Sequence, residues 1–370
     1  MAPSICLAMI CKNESEVIRR ALSSCRPYIN TWVVLDTGST DGTQDIIREE
    51  MAGLPGQIIE EPWVNWETSR TRAIQLGLMS GTDFVLIMDA DEKFMVPEGW
   101  AWPEDMSRDK AYWVTIQYNT MMYTRPSVIS PLHNWHYVGV THEYLTAHPD
   151  DPPIVTLPIR LETYHTRTNK PVSKCLEDVR LLEEALEKEP GNSRYQFYLA
   201  QSYRDSMQLE KAIEAYTKRA TMGGWYEEVW YSLFQIGEIK VKLNAPEPEI
   251  MYAYLIAYEY NPRRSEPLGA LARYLRLRQK FRTSLIFSEM ALRIPIPNEM
   301  LFLETIYYQW LNLDEFSVCA YWTGRYQEAI KASDILLQVA PPDQHERIKK
   351  NREFSLAKLA EIESKNSVKT

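Results

Sequence analysis

The first 165 or so residues alternate short apolar runs with segments of helical spacing. An apolar run of about four to eight residues bounded by polar turns predicts a buried strand, and helical spacing after it predicts a βα unit. Repeated βα units fold as a largely parallel sheet whose faces are covered by helices. We therefore predict an α/β fold for this part of the chain, with strands at 5–10, 32–35, 57–59 and 84–88.

After about residue 170 only helical spacing continues. Ala200, Ala212 and Ala329 alternate with tyrosines such as Tyr203 and Tyr216. Small residues where helices touch, with aromatic side chains filling the gaps, are typical of tetratricopeptide repeats. Ala212 and Ala329 lie 117 positions apart, which is not a multiple of the ~34-residue repeat, so we predict an irregular array of three to four units. The predicted domains are a sheet domain at 1–170, a linking helix at 171–190 and a helical-repeat domain at 191–370.

Charge and cysteine usage narrow the class of protein. The 370 residues carry a net charge of −9, which excludes a global basic field for nucleic acid or anionic membranes. The five cysteines are scattered, lack C-x-x-C spacing and favour a reducing compartment. The first residues lack the pattern of a secretory signal, and no apolar run approaches the ~18 residues of a membrane span. We expect a cytoplasmic protein without a membrane span.

Polar residues follow three of the predicted strands. Residues 12–14 (Lys-Asn-Glu) follow the first strand, residues 36–39 (Asp-Thr-Gly-Ser) the second, and residues 89–91 (Asp-Ala-Asp) the fourth. Open α/β sheets bind ligands at the carboxyl ends of their strands. We therefore expect the three segments to meet in one cleft.

The carboxylates of Asp89 and Asp91 carry the strongest chemical signal. Residues i and i+2 of an extended segment point to the same side, so we expect the two side chains to converge. Their repulsion would raise a pKa or be cancelled by a cation, and oxygen ligands suit Mg²⁺ or Mn²⁺. Taken alone, such a segment is more often a solvated acidic turn than a metal site.

Three segments together resemble the family 2 glycosyltransferases of the GT-A fold: ICLAMICKNESEVIRRAL, VVLDTGSTDGTQDI and FVLIMDADE. The helical half resembles a subgroup that fuses this domain to tetratricopeptide-like helices. The resemblance implies a Rossmann-like GT-A catalytic domain followed by an all-α repeat domain. It also implies metal-dependent inverting transfer of a hexose from a nucleotide sugar, with a UDP-hexose as the expected donor. Mn²⁺ or Mg²⁺ is the expected cofactor, and the acceptor is a hydroxyl on a protein, glycan or other macromolecule.

The resemblance also implies which residues form the site. Arg70, or alternatively Arg72, would face the diphosphate, since a guanidinium pairs bidentately with phosphate oxygens. Asn13 has a second interpretation as a helix cap, because Asn13 with Glu16 resembles a capping box, as does Asp41 with Gln44. The residues expected to line the nucleotide-sugar cleft are Cys11, Lys12, Asn13, Glu14, Asp36, Gly38, Arg70, Asp89 and Ala90. The expected metal ligands are Asp91, Asp89 and His165.

Glu143 is the candidate catalytic base. It follows His142 in NWHYVGVTHEYL, where the H-E-x-x-H spacing of zinc proteases is absent. Inverting transfer needs a carboxylate that takes a proton from the acceptor nucleophile. The alternative interpretation is a structural carboxylate that orients His142 or an arginine.

Two other functions were compared with the transferase. A catalytically inactive adaptor would bind partners through its helical repeats, yet the intact acidic segment argues against lost chemistry. A nucleotidyltransferase is disfavoured because no glycine-rich phosphate loop occurs near residue 10. The repeats are expected to bind an acceptor or to form a homo-oligomer.

Overall fold

The computed structural model describes residues 2–118, 121–163, 172–299 and 301–367. The chain divides into two compact units, residues 1–174 and 175–370. No helix in these described ranges is both long and apolar enough to cross a bilayer.

The first unit is built on an eight-stranded sheet in the order β3-β2-β1-β4-β7-β6-β10-β5, with β8 and β9 forming a separate hairpin. Four of the seven neighbouring pairs in the sheet are parallel. The predicted strands correspond to β1 to β4, so the α/β prediction is confirmed. The strands are β1 (Ile5–Cys11), β2 (Thr31–Asp36), β3 (Gly56–Glu60), β4 (Phe84–Ile87), β5 (Glu92–Met95), β6 (Ala111–Tyr118), β7 (Met121–Ile129), β8 (His136–Val138), β9 (Tyr144–Thr146) and β10 (Ile154–Thr163). The helices are α1 (Ile18–Cys25), α2 (Thr43–Glu50) and α3 (Trp66–Leu78).

Strand β1 is buried on both faces, as expected for the centre of a parallel sheet. Leu7 and Met9 point into the cluster that contains Ile18 of α1, whereas Ala8 points into the cluster that contains Ile74 of α3. A Cβ at Gly77 would lie 3.0 Å from the side chains of Ala8 and Val85. The glycine therefore lets α3 lie directly against the sheet. This close packing fixes the distance between the sheet and the side chains that α3 carries.

The second unit is helical throughout its described residues. Its helices are α4 (Val172–Lys188), α5 (Ser193–Asp205), α6 (Leu209–Thr221), α7 (Tyr226–Lys242), α8 (Glu247–Tyr260), α9 (Glu266–Leu277), α10 (Phe281–Leu292), α11 (Asn312–Trp322), α12 (Tyr326–Val339) and α13 (His345–Ser367), with a π-helical turn at Tyr307–Leu311 before α11. The first three residues of helix α4 belong to the first unit, and the helix occupies most of the predicted linking segment.

Four helical hairpins in this unit share one turn geometry. The residue after each first helix has a positive φ, at Met207, Asn244, Gln279 and Gly324. In each turn the next N–H donates to a carbonyl five residues earlier, as in Gln208 to Tyr203 at 2.8 Å and Arg325 to Ala320 at 2.8 Å. This is the Schellman arrangement that ends a helix.

The spacing of these turns explains the irregular repeat. Met207 and Asn244 lie 37 residues apart, Asn244 and Gln279 35, and Gln279 and Gly324 45. The long third step contains residues 293–306 and the π-helical turn. The prediction of three to four irregular helical units is therefore confirmed, and the insertion accounts for the 117-residue separation of Ala212 and Ala329.

Candidate functional site at the strand ends

The loops after β1 and β2 are joined by hydrogen bonds. Asn13, with a φ of 56°, accepts from the Thr40 N–H at 2.8 Å through Oδ1 and donates its own N–H to Ser39 Oγ at 2.9 Å. Asp41 Oδ2 accepts from the Ser15 N–H at 3.0 Å. The two polar segments therefore meet, as expected from the parallel register that aligns Cys11 with Asp36.

Both predicted capping boxes are wrong. Helix α1 starts at Ile18, after the Asn13–Glu16 segment, and has no side-chain cap. Helix α2 has Gly42 as its N-cap residue, with a φ of 88° and no side-chain cap. The side chain of Asn13 instead stabilises the neighbouring loop.

Asp36 organises its own loop and does not project into the cleft. Its side chain is buried, and Oδ1 accepts from the N–H groups of Gly38 at 2.8 Å and Ser39 at 2.7 Å. The thiol of Cys11, also buried, lies 3.5 Å from Oδ2. Burial raises the pKa of Asp36, but these hydrogen bonds outweigh it and the net pKa lies below the usual value. Both Asp36 oxygens have partners within the protein, and the contact of Asp36 with a nucleotide sugar stays a prediction.

The remaining residues expected to line the cleft differ in exposure. Lys12 and Gly38 are exposed, Glu14 is half-buried and Ala90 is buried. The φ of Gly38 is 105°, in the region that favours glycine, and open space lies where its Cβ would stand. Backbone groups at residue 38 are thus accessible at the strand ends.

The Asp89–Asp91 segment forms a turn and is not extended. Strand β4 ends at Ile87, and the turn is closed by the Glu92 N–H, which donates to the Asp89 carbonyl at 3.1 Å. Glu92 Oε2 in return accepts from the Asp89 N–H at 2.9 Å. The expected convergence of the Asp89 and Asp91 side chains on an extended segment is therefore wrong. Glu92, which is buried, braces this turn.

Both oxygens of Asp89 accept from arginines. Arg70 Nη1 donates to Oδ1 at 2.7 Å, and Arg125 Nη1 donates to Oδ2 at 3.3 Å. Burial raises the pKa of Asp89, but the two guanidinium groups outweigh this effect and hold the pKa well below its usual range. Asp89 thus anchors two arginines in this structure, and its role as a metal ligand stays a prediction.

Arg70 rather than Arg72 faces this cluster. Helix α3 is capped by Asn65, whose Oδ1 accepts from the Thr68 N–H at 2.7 Å. Arg70 lies one turn further on and also places Nε 2.7 Å from Glu143 Oε1. Arg72 instead pairs with Glu61, and both side chains are more than a third exposed. The geometry favours Arg70 as the diphosphate-facing residue.

Glu143 is held in place by a hairpin that docks on α3. The Tyr137 N–H donates to Thr71 Oγ1 at 2.9 Å and the Gly139 N–H to Glu67 Oε2 at 3.2 Å. Glu143 follows the turn between β8 and β9, and its side chain is 12% exposed. Burial raises the pKa of Glu143, although Arg70 opposes the shift. A carboxylate with a raised pKa can accept a proton nearer to neutral pH, as a general base requires.

Arg125 is a site residue that the sequence did not reveal. Strand β7 pairs with β4 through Leu86 and Val128, so Arg125 lies further along β7 on the side where β4 ends. Its Nη1 donates to Asp89 Oδ2 at 3.3 Å. Arg125 also donates to Glu92 Oε2 at 2.8 Å. The segment YTRPS resembles no binding motif. The only sequence signal for Arg125 as a site residue was a positively charged side chain inside a strand.

The cluster has more negative than positive charge. Two guanidinium groups, Arg70 and Arg125, face three carboxylates, those of Asp89, Glu92 and Glu143. Burial, with contributions from Asp89 and Asp91, raises the pKa of Glu92 to about 7 despite Arg125. Asp91 lies half-buried in the same turn, and its backbone carbonyl accepts from Arg20 Nη2 at 3.2 Å.

The described residues could hold a divalent cation only together with phosphate oxygens of a bound substrate. No group of three or more His, Cys, Asp or Glu in the described ranges is arranged to hold a metal ion on its own. Mg²⁺-type sites commonly use one or two carboxylates with phosphate oxygens and water, and Asp91 can supply such a carboxylate. His165, the third expected ligand, lies outside the described residues.

An open cavity of about 430 Å³ lies along one face of α3, bounded by the residues after β3 and by β8, with Glu61 and Arg72 in its lining. A much smaller space of about 10 Å³ lies next to Arg70 and Asp89. Tyr137 lines both spaces and separates the larger cavity from the cluster.

Residues 6–97 match the family model described as Glycosyl transferase family 2. The SPbeta prophage-derived glycosyltransferase SunS of Bacillus subtilis (strain 168) is 26% identical over 230 residues, which are 59% of this chain and 53% of SunS. An uncharacterized glycosyltransferase of Rickettsia prowazekii is 35% identical over 85 residues, 23% of this chain and 27% of that protein. A TPR repeat-containing protein of Synechococcus elongatus is 33% identical over 96 residues, 26% of this chain and 22% of that protein.

The chain spans about half or less of the length of these curated relatives. Among solved structures, a tetratricopeptide repeat protein from Parabacteroides merdae covers 52% of this chain and 71% of its own, at 16% identity and a TM-score of 0.37. The MamA protein covers 45% of this chain and 82% of its own, at 14% identity and a TM-score of 0.35. The resemblance of the front of the chain to family 2 glycosyltransferases is confirmed by the family match, which covers the three quoted segments.

Proposed function

We propose that this chain, which carries a family 2 glycosyltransferase domain at residues 6–97, is a metal-dependent inverting glycosyltransferase that moves a hexose from a UDP-sugar to an acceptor hydroxyl. The observation that carries the proposal is the cluster at the carboxyl ends of β1, β2 and β4. There Arg70 Nε lies 2.7 Å from Glu143 Oε1, beside the Asp89–Asp91 turn. The acceptor is a macromolecule or glycan, and the helical unit is the surface proposed to bind it or to form a homo-oligomer.

The charge of the cluster supports metal dependence. The two arginines are already paired with three carboxylates, so they do not by themselves neutralise a departing diphosphate. A Mn²⁺ or Mg²⁺ ion held by Asp91 and, as the resemblance implies, by His165 would supply positive charge to the leaving group. Arg70 adds directional hydrogen bonds to the phosphate oxygens, which a spherical cation lacks.

Glu143 is the proposed base. Arg70 holds Oε1, and the hairpin anchors on α3 fix the backbone on either side. The Glu143 carboxylate takes the proton of the acceptor hydroxyl. At the same time the hydroxyl oxygen attacks the anomeric carbon from the face opposite the diphosphate. The bond to the diphosphate breaks in the same step, so the configuration is inverted.

The proposed compartment is reducing. All five cysteines are free and buried. Such thiols persist in a cytoplasmic environment, which is where we place the protein.

The direct test is nucleotide release from a panel of nucleotide sugars, without added acceptor and with Mn²⁺, Mg²⁺ or EDTA. We expect UDP release from at least one UDP-hexose with a divalent ion and loss of release in EDTA. Asp91→Asn should lower the rate by about 10²-fold, as for removal of a leaving-group contact. Asp45→Asn is the matched control, because Asp45 is an exposed residue of α2. No release with any donor, together with unchanged nucleotide binding in Asp91→Asn, would favour the inactive adaptor.

A further inference from the structure

Arg125 lies at the cleft without belonging to any of the three segments that resemble the family. It stands on β7, the antiparallel neighbour of β4, and its side chain reaches Asp89 in the turn after β4. Its side chain is 25% exposed, so it lies at the wall of the cleft and not in the hydrophobic core. Ser127 Oγ accepts from its Nε at 3.3 Å and orients the guanidinium plane.

The guanidinium of Arg125 bridges two carboxylates. Nη1 donates to Asp89 Oδ2 at 3.3 Å, and Nη2 donates to Glu92 Oε2 at 2.8 Å. Glu92 Oε2 also accepts from the Asp89 N–H at 2.9 Å. Backbone and side chain of Asp89 are therefore both held, one by Glu92 and the other by Arg125.

The bridge has a consequence for Arg70. Asp89 accepts from Arg70 through Oδ1 and from Arg125 through Oδ2, so the carboxylate plane is fixed from both sides. If Arg125 were absent, Asp89 could rotate about χ2, and the 2.7 Å contact that orients Arg70 would lose its fixed partner. A misplacement of about 1 Å at a substrate-facing group can cost roughly 10²-fold in rate.

We infer that Arg125 is a positioning residue of the transferase cleft, which fixes Asp89 and through it presents the Arg70 guanidinium to the diphosphate of the donor. The inference rests on the proposed function for its kinetic consequence, whereas the geometric part concerns only Arg125, Asp89 and Arg70. Arg125 sets the rate of the chemical step and has little effect on nucleotide affinity.

The experiment compares Arg125→Met, Arg125→Lys and the double variant Glu92→Gln/Arg125→Met with wild type. Arg160→Met is the matched control, since Arg160 is a half-exposed arginine of the same sheet that pairs with Glu162. For each protein we would measure thermal melting, donor KM and kcat for nucleotide release. The Nε–H resonance of Arg70 in ¹⁵N-arginine-labelled protein, assigned by its absence in Arg70→Lys, supplies a readout that does not depend on turnover.

The double variant separates positioning from simple charge balance. It removes the carboxylate that Arg125→Met leaves unpaired, so it should melt near wild type even if Arg125→Met fails to fold. We expect its kcat to remain about 10²-fold below wild type with little change in KM, and the Arg70 Nε–H signal to shift. Arg125→Lys keeps the charge but reaches one carboxylate only, so kcat should recover in part.

Two results would overturn the inference. A double variant with wild-type kcat would mean that Arg125 only balances the charge of Glu92. An unchanged Arg70 Nε–H resonance in that variant would mean that Asp89 needs no second arginine. If wild type releases no nucleotide from any donor, the proposed function fails, and the Arg70 resonance still decides whether Arg125 positions Asp89.

Discussion

Both units contain arginines surrounded by carboxylates, but the two clusters differ in how completely they are shielded from solvent. In the helical unit, Arg264 is fully buried, pairs with Glu266 and Glu299, and lies 3.7 Å from the centre of the Trp230 ring. Its remaining donors reach backbone carbonyls of residues 301 and 302. Arg263 pairs with the other oxygen of Glu299, so two cations meet two anions.

The cluster of the sheet unit is open and unbalanced. Arg70 and Arg125 keep 16% and 25% of their side chains exposed, at the ends of strands. They face three carboxylates, and Asp91 lies in the same turn. A buried ion pair whose hydrogen bonds are all satisfied is a structural element, whereas an exposed cluster with excess charge can still exchange partners with a ligand. Closure and charge balance, more than the presence of ionic residues, distinguish a binding site from a structural ion pair.

The largest expected effect is on the base. Glu143→Gln keeps the size of the side chain but removes its proton acceptor, so kcat for transfer should fall by about 10²- to 10⁴-fold. Steady-state kinetics with the preferred donor and acceptor measure it. Glu162→Gln, on β10 of the same unit, is the control and should retain activity. A wild-type kcat in Glu143→Gln would assign this carboxylate to a structural role on Arg70.

The closed cluster of the helical unit should respond in the opposite way. Arg264→Met leaves Glu266 and Glu299 buried without their shared cation, which should cost about 3–5 kcal/mol of stability. Urea unfolding of the full chain measures this loss, with Arg293→Met, an exposed residue, as the control. Nucleotide release below the unfolding transition should stay near the wild-type rate. A specific loss of release with intact stability would place a substrate contact in the helical unit.

The two neighbouring arginines of α3 provide a sharper comparison within one helix. Arg70→Lys removes a fork that meets Asp89 and Glu143, so kcat should fall by about 10²-fold. Arg72→Lys affects an exposed pair with Glu61, which is worth about 0–1 kcal/mol, and activity should change little. Steady-state kinetics of the two variants, measured under the same conditions, show which arginine contributes to kcat. Equal losses would show that the whole face of α3, and not the cluster, carries the effect.

The smallest effect concerns the loop after β2. Because the pKa of Asp36 is lowered in the folded protein, its ionised form stabilises the fold above the ordinary value of 3.8, and this contribution is lost as the pH falls through the lowered pKa. Asp36→Asn should therefore lower the free energy of unfolding slightly at pH 7 and have progressively less effect below pH 3.8. Urea unfolding at several pH values measures the difference. A cost that does not depend on pH would attribute it to packing alone.

Strand positions and loop placement could be predicted because they depend on local patterns. The apolar runs and the polar residues after them led to β1, β2, β4 and their common edge. The helical half was predictable for the same reason, since small and aromatic residues recur at helical spacing.

Side-chain roles were less predictable because they depend on contacts distant in sequence. Asp36 is buried by its own loop, and Asp89 is held by arginines 19 residues before and 36 residues after it. The position of Arg125 follows from the β4–β7 register, which no local pattern encodes. The capping boxes failed because Asn13 accepts from the opposite loop, and because Asp41 Oδ1 accepts from the N–H of Thr43 at the start of α2 in place of that of Gln44.

The most direct test of the open cluster as a nucleotide-sugar site is a crystal structure with UDP and Mn²⁺, in which anomalous scattering locates the metal. We predict a manganese peak at the Asp91 carboxylate and a diphosphate oxygen within about 3 Å of the Arg70 guanidinium. UDP bound away from the carboxyl ends of β1, β2 and β4, or manganese bound without contact to this turn, would contradict the account.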